Sequence, residues 1–190
     1  MYLLGLTGGI ASGETTIANM FEEEHVAVFD ADTAVRAIIA DDLEAQQLLI
    51  NKFNTIEPSI LSDIVFSDIN KLYQLEAILH PPVYRLMHQF LDAQQAAGAI
   101  LCVIDIPLLY EVGWDKECDA VIYLQISQTI QRERALQRSR MTESKLQSII
   151  TRQQNFLNQK LHSRYVINTD RHLEELRKDV RLIVKEYINA

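Results

Sequence analysis

The stretch from Leu4 to Thr16 reads LGLTGGIASGETT and decides the fold. A short apolar run from Tyr2 to Leu6 leads into a glycine-rich turn, and a helical pattern begins near Thr15. This order of strand, glycine loop and helix is the context in which a phosphate-binding P-loop forms. The pattern of such a loop is G-x-x-x-x-G-K-[ST]. Residues 8–15 match it at every defined position except 14, where a glutamate replaces the lysine.

Each part of this loop has a physical task. Glycines let successive backbone N–H groups curl around an anion, and the helix that follows points the positive end of its dipole at the same anion. The Thr15 hydroxyl is placed to ligate a magnesium ion that travels with the nucleotide. The residues predicted to bind nucleotide are Gly8, Gly9, Ile10, Ala11, Ser12, Gly13, Glu14, Thr15 and Thr16.

Glu14 is the exception within the loop. The missing lysine would reach the outer phosphates as a positive charge. Two unit charges 4 Å apart interact by about 4 kcal/mol at an effective dielectric near 20. The exchange therefore loses an attraction of that order and adds a repulsion. A second interpretation stays open, because a glutamate in the first turn of a helix favours the dipole without any ligand.

Composition limits the classes of function. The chain has 190 residues, a formal net charge of −8 and 48% hydrophobic residues, which predicts one well-buried globular domain and disfavours general binding of nucleic acid. Cys102 and Cys118 have no metal-ligand spacing and are predicted to be reduced core residues. No basic leader or apolar run of bilayer length is visible, so we expect a cytoplasmic protein without a membrane segment.

The remaining chain alternates strand-like and helical patterns, which predicts an α/β fold with a parallel sheet. Further strands are expected at 26–29, 99–106, 120–124 and 165–167. Helices are expected at 33–53, 68–79, 82–97, 129–139, 142–161 and 173–188. The segment 54–62 is predicted to be a connection around Pro58, and His80-Pro81-Pro82 is predicted to separate two helices. Residues 33–97 contain no strand pattern, so we expect them to form a substrate-side lobe.

Three groups of side chains could carry chemistry. Asp30 and Asp32 follow the second strand, where ligands bind in α/β sheets. Asp32 is interpreted as a general base for an attacking hydroxyl, with a helix N-cap as the alternative. Asp105 ends the longest apolar strand, where P-loop proteins keep an acid that organises magnesium.

The third group is basic and consists of Arg132, Arg134, Arg138 and Arg140. Arg134 and Arg138 are four residues apart, so on a helix they share a face and repel each other unless an anion lies between them. This spacing favours a phosphate clamp. Glu133 and Glu143 keep an ordinary solvated face open as the alternative.

Taken together, the chain resembles dephospho-coenzyme A kinase, a P-loop kinase of the nucleoside-monophosphate kinase type. The resemblance runs from Leu4 to about Leu176. It rests on the ordered motifs Leu6-Thr7-Gly8-Gly9-Ile10, Asp30-Ala31-Asp32 with Arg36, Leu79-His80-Pro81, Pro107-Leu108-Leu109 with Glu111, and Arg134 with Arg138.

The resemblance implies a five-stranded parallel core (1–32, 99–131 and 162–190), a helical coenzyme-side lobe (33–98) and a lid (132–161). The implied reaction moves the γ-phosphate of ATP, with Mg²⁺, to the 3′-hydroxyl of dephospho-CoA. Asp32 would be the base, and Arg138, beside Arg134, would clamp the phosphates. Thr15 and Asp105 would serve the metal. The implied substrate-binding residues are Thr7, Asp32, Arg36, His80, Pro107, Leu108 and Glu111.

The sequence departs from the family pattern at four places. Glu14 replaces the P-loop lysine, and Ala11 replaces a glycine, where we expect it to add only a methyl group. The stretch from Ile56 to Phe66 lacks an expected arginine, and the asparagine within residues 167–170 is one position from its usual place. A kinase impaired by Glu14 is our main hypothesis. The alternatives are a binding-only pseudoenzyme and a kinase for another small hydroxyl acceptor, such as a nucleoside or a shikimate-like compound.

Overall fold

The protein contains a five-stranded sheet, whose strands are β1 (Tyr2–Gly8), β2 (Ala27–Asp30), β3 (Leu101–Asp105), β4 (Ala120–Gln125) and β5 (Tyr165–Asn168). The computed structural model describes residues 1–66, 68–139, 141–154 and 162–189. The registered pairs β1–β3, β1–β4 and β4–β5 are all parallel, so the predicted five-stranded α/β fold is confirmed. The order of the strands across the sheet is β2-β3-β1-β4-β5.

Eight α-helices are described in these residues. They are α1 (Glu14–Glu23), α2 (Ala31–Asp41), α3 (Leu43–Phe53), α4 (Pro58–Phe66), α5 (Ile69–Ala96), α6 (Gln128–Leu136), α7 (Glu143–Gln154) and α8 (Leu173–Ile188), with a short 3-10 turn at Trp114–Glu117. No helix within the described residues is long and apolar enough to cross a membrane. The chain divides into two compact units, one of residues 1–29 with 94–190 and the other of residues 30–93.

The core of the first unit lies between the central strands and helices α1 and α8. All five residues of β3 are buried, as a parallel strand covered on both faces requires. Helix α8 buries Leu176, Val180, Ile183, Val184 and Tyr187, a spacing that places them on one face of a helix. Both cysteines are free thiols; Cys102 is buried and Cys118 is half-buried, so the prediction of reduced residues holds and only Cys102 is fully in the core.

The single helix predicted at 33–53 is wrong, because the structure has two helices there. Asp42 adopts an extended backbone (φ −87°, ψ 101°) between α2 and α3. Its carboxylate accepts hydrogen bonds at 3.0 Å from the backbone N–H groups of Glu44 and Ala45. Asp42 is therefore the N-cap that starts α3.

Both expectations about prolines between residues 54 and 97 are also wrong. The predicted connection around Pro58 is largely helical, because α4 begins with this proline at its first position, where a missing N–H loses nothing. Helix α5 continues through Pro81 and Pro82. Interior prolines cost a helix about 3 kcal/mol or more, but Leu79, Pro82, Val83 and Met87 are buried on one face of α5, and burying such side chains gains about 1.5–3 kcal/mol each.

Candidate active site

The loop between β1 and α1 has the backbone of a phosphate-binding turn. Gly13 is the N-cap of α1 in the left-handed conformation (φ 98°), and no side chain caps this helix. The backbone N–H of Ser12 donates to the Gly9 carbonyl at 3.0 Å and closes the turn. A Cβ atom on Gly8 would stand 2.3 Å from the Ser12 hydroxyl, so only glycine fits there. The uncapped helix start offers its amides and the dipole to an anion.

Ala11 changes the loop by more than the expected methyl group. Its φ of 60° is left-handed, and this conformation costs a residue with a Cβ about 1–2 kcal/mol. The Ala11 side chain is buried in a small apolar cluster with Ala135 of α6 and Leu146 of α7. The methyl group thus strains the loop and at the same time packs it against two helices.

Glu14 lies against the loop to which it belongs. Its carboxylate accepts a hydrogen bond from the Ser12 hydroxyl at 2.8 Å, and Ser12 is fully buried. The charge acts on neighbouring groups, because the pKa of Tyr123 is raised first by burial and then by the carboxylates of Glu111 and Glu14. The place of the lysine in the sequence pattern thus holds an ordered negative charge.

The residues predicted to serve a magnesium ion have suitable chemistry. Thr15 is exposed in the first turn of α1, and Asp105 is 6% exposed at the end of β3, opposite Leu6 of β1. The described residues contain no group of three or more His, Cys, Asp or Glu side chains that could hold a metal. Mg²⁺ commonly uses only one or two carboxylates together with substrate phosphates and water, so a hydroxyl and one acid fit it.

Arg134 is the arginine of α6 that the structure places beside the loop. Its Nη2 atom donates to the Thr169 carbonyl at 3.3 Å, and its Nη1 atom is 3.9 Å from the point where a Cβ on Gly13 would stand. Arg132 instead forms an ion pair with Glu143 at 2.9 Å, and both residues line the cavity that adjoins the loop. An arginine next to Gly13 can donate to a bound phosphate.

The prediction that Arg134 and Arg138 share a helical face is wrong, because α6 ends at Leu136 rather than at the predicted residue 139. Arg138 is exposed two residues beyond this end, and its backbone N–H bonds to the Ala135 carbonyl. Helical spacing therefore does not apply to this pair. Arg140 lies outside the described residues, as do residues 155–161 of the helix predicted at 142–161.

A cavity of about 440 Å³ adjoins the loop in the first unit. Its lining brings together Thr7, Gly8 and Gly9 with Pro107 and Glu111, all of which were predicted from the sequence. The Thr7 hydroxyl donates to the Pro107 carbonyl at 3.2 Å and ties the end of β1 to the segment after β3. Leu108 is half-buried in that segment.

The other predicted acceptor-side residues belong to the second unit. Asp30, not Asp32, caps α2, because its carboxylate accepts from the Thr33 backbone N–H at 2.9 Å. Asp32 is exposed in the first turn of α2, so the alternative that it is the N-cap is wrong. Arg36 donates to the Thr33 hydroxyl at 2.7 Å and lies 3.9 Å from the Asp30 carboxylate. His80 is half-buried within α5.

Two glutamines that touch the loop were missed from the sequence. Gln131 of α6 and Gln153 of α7 both form hydrogen bonds with the backbone of Ile10. The contacts span 121 and 143 residues of sequence. A glutamine on a helix has no distinctive spacing, so no signal in the sequence could have identified them.

The parallel sheet, the glycine loop before an uncapped helix and the adjoining cavity define a P-loop kinase. Residues 2–175 match the family model for dephospho-CoA kinase. The chain belongs to the dephospho-CoA kinase family. Membership of a kinase family implies ATP as the phosphoryl donor and a small molecule as the acceptor.

Individual relatives agree with this assignment. A dephospho-CoA kinase from Rhodopseudomonas palustris (strain HaA2) is 36% identical over 188 residues, which cover 97% of this chain and 94% of that protein. The crystal structure of TT1252 from Thermus thermophilus has 26% identity and a TM-score of 0.80 over 97% of both chains. The dephospho-CoA kinase structure from Campylobacter jejuni has 16% identity and a TM-score of 0.64, covers 97% of this chain and 96% of that one, and supports the fold alone.

Proposed function

We propose that this chain transfers the γ-phosphoryl group of ATP to the 3′-hydroxyl of dephospho-CoA, at a rate lowered by Glu14. The observation that carries the proposal is the family match over residues 2–175 in a chain whose glycine loop ends at an uncapped helix. Two free cysteines and a net charge of −8 are consistent with a cytoplasmic enzyme of small molecules rather than of nucleic acid.

The roles follow from the chemistry of each group. The loop amides and Arg134 hold the phosphates of ATP, and Arg138 adds charge beyond α6. Asp32 accepts the proton of the attacking hydroxyl, a role supported by its exposure and by the fact that Asp30 provides the cap of α2. Arg36 and His80 bind the acceptor. Mg²⁺, held by Thr15 and Asp105 with the phosphates, would neutralise charge during transfer.

The cavity of the first unit supplies a separate set of contacts for a small molecule. Thr7, Pro107 and Glu111 line it together with Tyr123. Burial and the nearby carboxylates raise the pKa of Tyr123, and its protonated phenol can donate a hydrogen bond. Leu108, a residue predicted to bind the acceptor, lies between Pro107 and Glu111 in the chain and is half-buried. Such a mixture of apolar walls and a few polar groups suits a small-molecule substrate.

A single-turnover assay with γ-labelled ATP tests the acceptor directly. We expect labelled product with dephospho-CoA and none with adenosine or shikimate. Calorimetric titration should also show that dephospho-CoA binds more tightly than adenosine monophosphate, even with Glu14 in place. Equal or absent binding of both ligands would contradict the assignment.

Glu14 favours a second candidate function, that of a binding-only protein. In that case ATP and dephospho-CoA bind, but no transfer occurs even after a lysine is restored at position 14. The single-turnover assay on the Glu14→Lys variant therefore separates the two functions.

A further inference from the structure

The backbone of Ile10 in the loop is held by two carboxamides, one at its N–H and one at its carbonyl. The Ile10 N–H donates to Oε1 of Gln153 at 2.9 Å, and the Ile10 carbonyl accepts from Nε2 of Gln131 at 3.0 Å. One glutamine comes from α6 and the other from α7, so each of these helices contributes one contact to the same residue of the loop.

The orientation of both carboxamides is fixed by the backbone atoms that they contact. A backbone N–H needs an acceptor and a carbonyl needs a donor, so Gln153 must present its oxygen and Gln131 its NH₂ group. Gly9 makes room for the Gln131 contact, because a Cβ there would stand 2.8 Å from Nε2 of Gln131 and this carboxamide would have to move. The glycine at position 9 therefore has a steric reason besides the phosphate.

Apolar packing on the same side reinforces the two hydrogen bonds. Ala11 is buried with Ala135 of α6 and Leu146 of α7, and Ile10 and Ile150 pack against this cluster. The strained Ala11 conformation persists only when its surroundings hold it. The polar contacts to Ile10 and the apolar contacts to Ala11 together supply that support.

We propose that Gln131 and Gln153 are positioning residues for ATP, which hold the Ile10 peptide so that the loop has its phosphate-binding shape before the nucleotide arrives. Because Gln153 engages the Ile10 N–H, the phosphates draw on the amides nearer the start of α1. The proposal rests on the function proposed above. It adds that the nucleotide affinity of the loop depends on hydrogen bonds from α6 and α7.

Isosteric substitutions with glutamate separate the hydrogen bonds from other effects. Gln153→Glu keeps an oxygen for the Ile10 N–H, whereas Gln131→Glu removes the donor and sets an oxygen against the Ile10 carbonyl. Both variants add the same negative charge near the backbone of the same residue. In the Glu14→Lys background, we expect Gln131→Glu to raise the dissociation constant of ATP about tenfold more than Gln153→Glu does, which corresponds to about 1.4 kcal/mol.

Two further variants complete the series. Gln153→Leu removes the acceptor from the half-buried Ile10 N–H and should also raise the dissociation constant about tenfold, because this donor is left unsatisfied. Gln137→Glu adds a charge at an exposed position just after α6 and should leave the affinity unchanged. In steady-state assays the KM for ATP should rise while the KM for dephospho-CoA does not, which a general loss of structure would not produce.

Equal effects of the two glutamate variants, or a lower unfolding temperature with unchanged ATP affinity, would overturn the proposal. If Gln131→Glu does not fold, Gln131→Met removes the donor without repulsion and should give the same tenfold loss. Calorimetry with ATP alone needs no acceptor. The positioning role therefore stands or falls on ATP binding, and the acceptor assignment on transfer.

Discussion

At the scale of single residues, the site differs from a standard P-loop mainly in charge. Glu14 brings a carboxylate to the start of α1 and accepts a hydrogen bond from the buried Ser12 hydroxyl. The dipole of α1 stabilises the negative charge of Glu14, whereas a bound phosphate repels it. The residue thus stabilises the empty loop at the expense of the loaded one.

Asp32 provides a second test at this scale. Because Asp30 caps α2, Asp32→Asn should leave folding and ATP affinity largely intact while lowering transfer about 10²-fold or more through loss of the base. The rate is to be measured in the Glu14→Lys background, where activity is readable. As a control, Asp30→Ala removes the cap and should lower the free energy of unfolding by about 1 kcal/mol. A small rate loss for Asp32→Asn would rule out the base.

Cys118 should be chemically inert in the folded protein. Burial raises the pKa of its thiol to about 12, and the carboxylates of Asp115, Glu117 and Asp119 add to the shift. At pH 8 only about 10⁻⁴ of the thiol would be ionised. Alkylation measured by mass spectrometry should therefore be about a thousandfold slower than in denaturant. Comparable rates in the two states would contradict the burial.

Because the pKa of the Cys118 thiol is raised by folding, we expect the free energy of unfolding to fall in alkali. The folded pKa is raised, so the stability that the protonated thiol contributes is fully present below pH 9 and is lost as the pH rises towards 12. Chemical unfolding at pH 8 and pH 10.5 should show a fall in unfolding free energy that Cys118→Ala reduces. An identical fall in the variant would assign the alkaline loss to other groups.

At the scale of elements, α6 combines two kinds of arginine. Arg132 forms an ion pair with Glu143. Arg134 donates to the Thr169 carbonyl, and its guanidinium group lies near Gly13. The helix ends at Leu136, so Arg138 lies in the turn that follows it. The element therefore presents Arg134, and not a pair, to the loop.

Arg134→Ala should weaken ATP binding far more than Arg132→Ala. Charge-assisted hydrogen bonds contribute about 1.5–3 kcal/mol, which predicts a loss of about tenfold or more for Arg134→Ala. The exposed Arg132–Glu143 pair contributes little. Calorimetric titration of Arg134→Ala, Arg132→Ala and Arg138→Ala with ATP measures how much affinity each variant loses. We expect Arg138→Ala also to exceed Arg132→Ala, and similar small losses for all three would make the helix an ordinary solvated surface.

At the scale of the whole molecule, much of the fold follows from patterns of apolar residues. The five strands are short apolar runs, and α8 has the predicted bounds because its buried residues repeat at helical spacing. The break at Asp42 was missed because no glycine or proline marks it. The continuous α5 was missed because local proline chemistry is overridden by burial of Leu79, Val83 and Met87.

The parts of the candidate site that lie in short sequence motifs could be predicted from the sequence. The glycine loop, Thr15 and Asp105 lie on or beside strand ends that the sequence indicates. The hydrogen bonds from Gln131 and Gln153 depend on how two distant helices pack against the loop. The left-handed Ala11 was equally hidden, because its conformation is imposed by that packing.

Replacement of Glu14 tests most directly the claim that the chain is a kinase whose transfer rate is lowered by this negative charge. Glu14→Lys should raise the rate of transfer from ATP to dephospho-CoA by at least about 10²–10³, because a preorganised positive charge acts mainly on the transition state. The gain should appear in kcat, with a smaller gain in ATP affinity and a stability loss of about 0.3–1 kcal/mol from the helix dipole. Glu14→Gln, which removes the charge but keeps an acceptor for Ser12, should give a smaller gain.

The deciding measurement is therefore the single-turnover rate with dephospho-CoA for the parent chain, Glu14→Gln and Glu14→Lys. We predict that the rate rises in that order. A Glu14→Lys protein that folds and binds both substrates but transfers no phosphate would contradict the account.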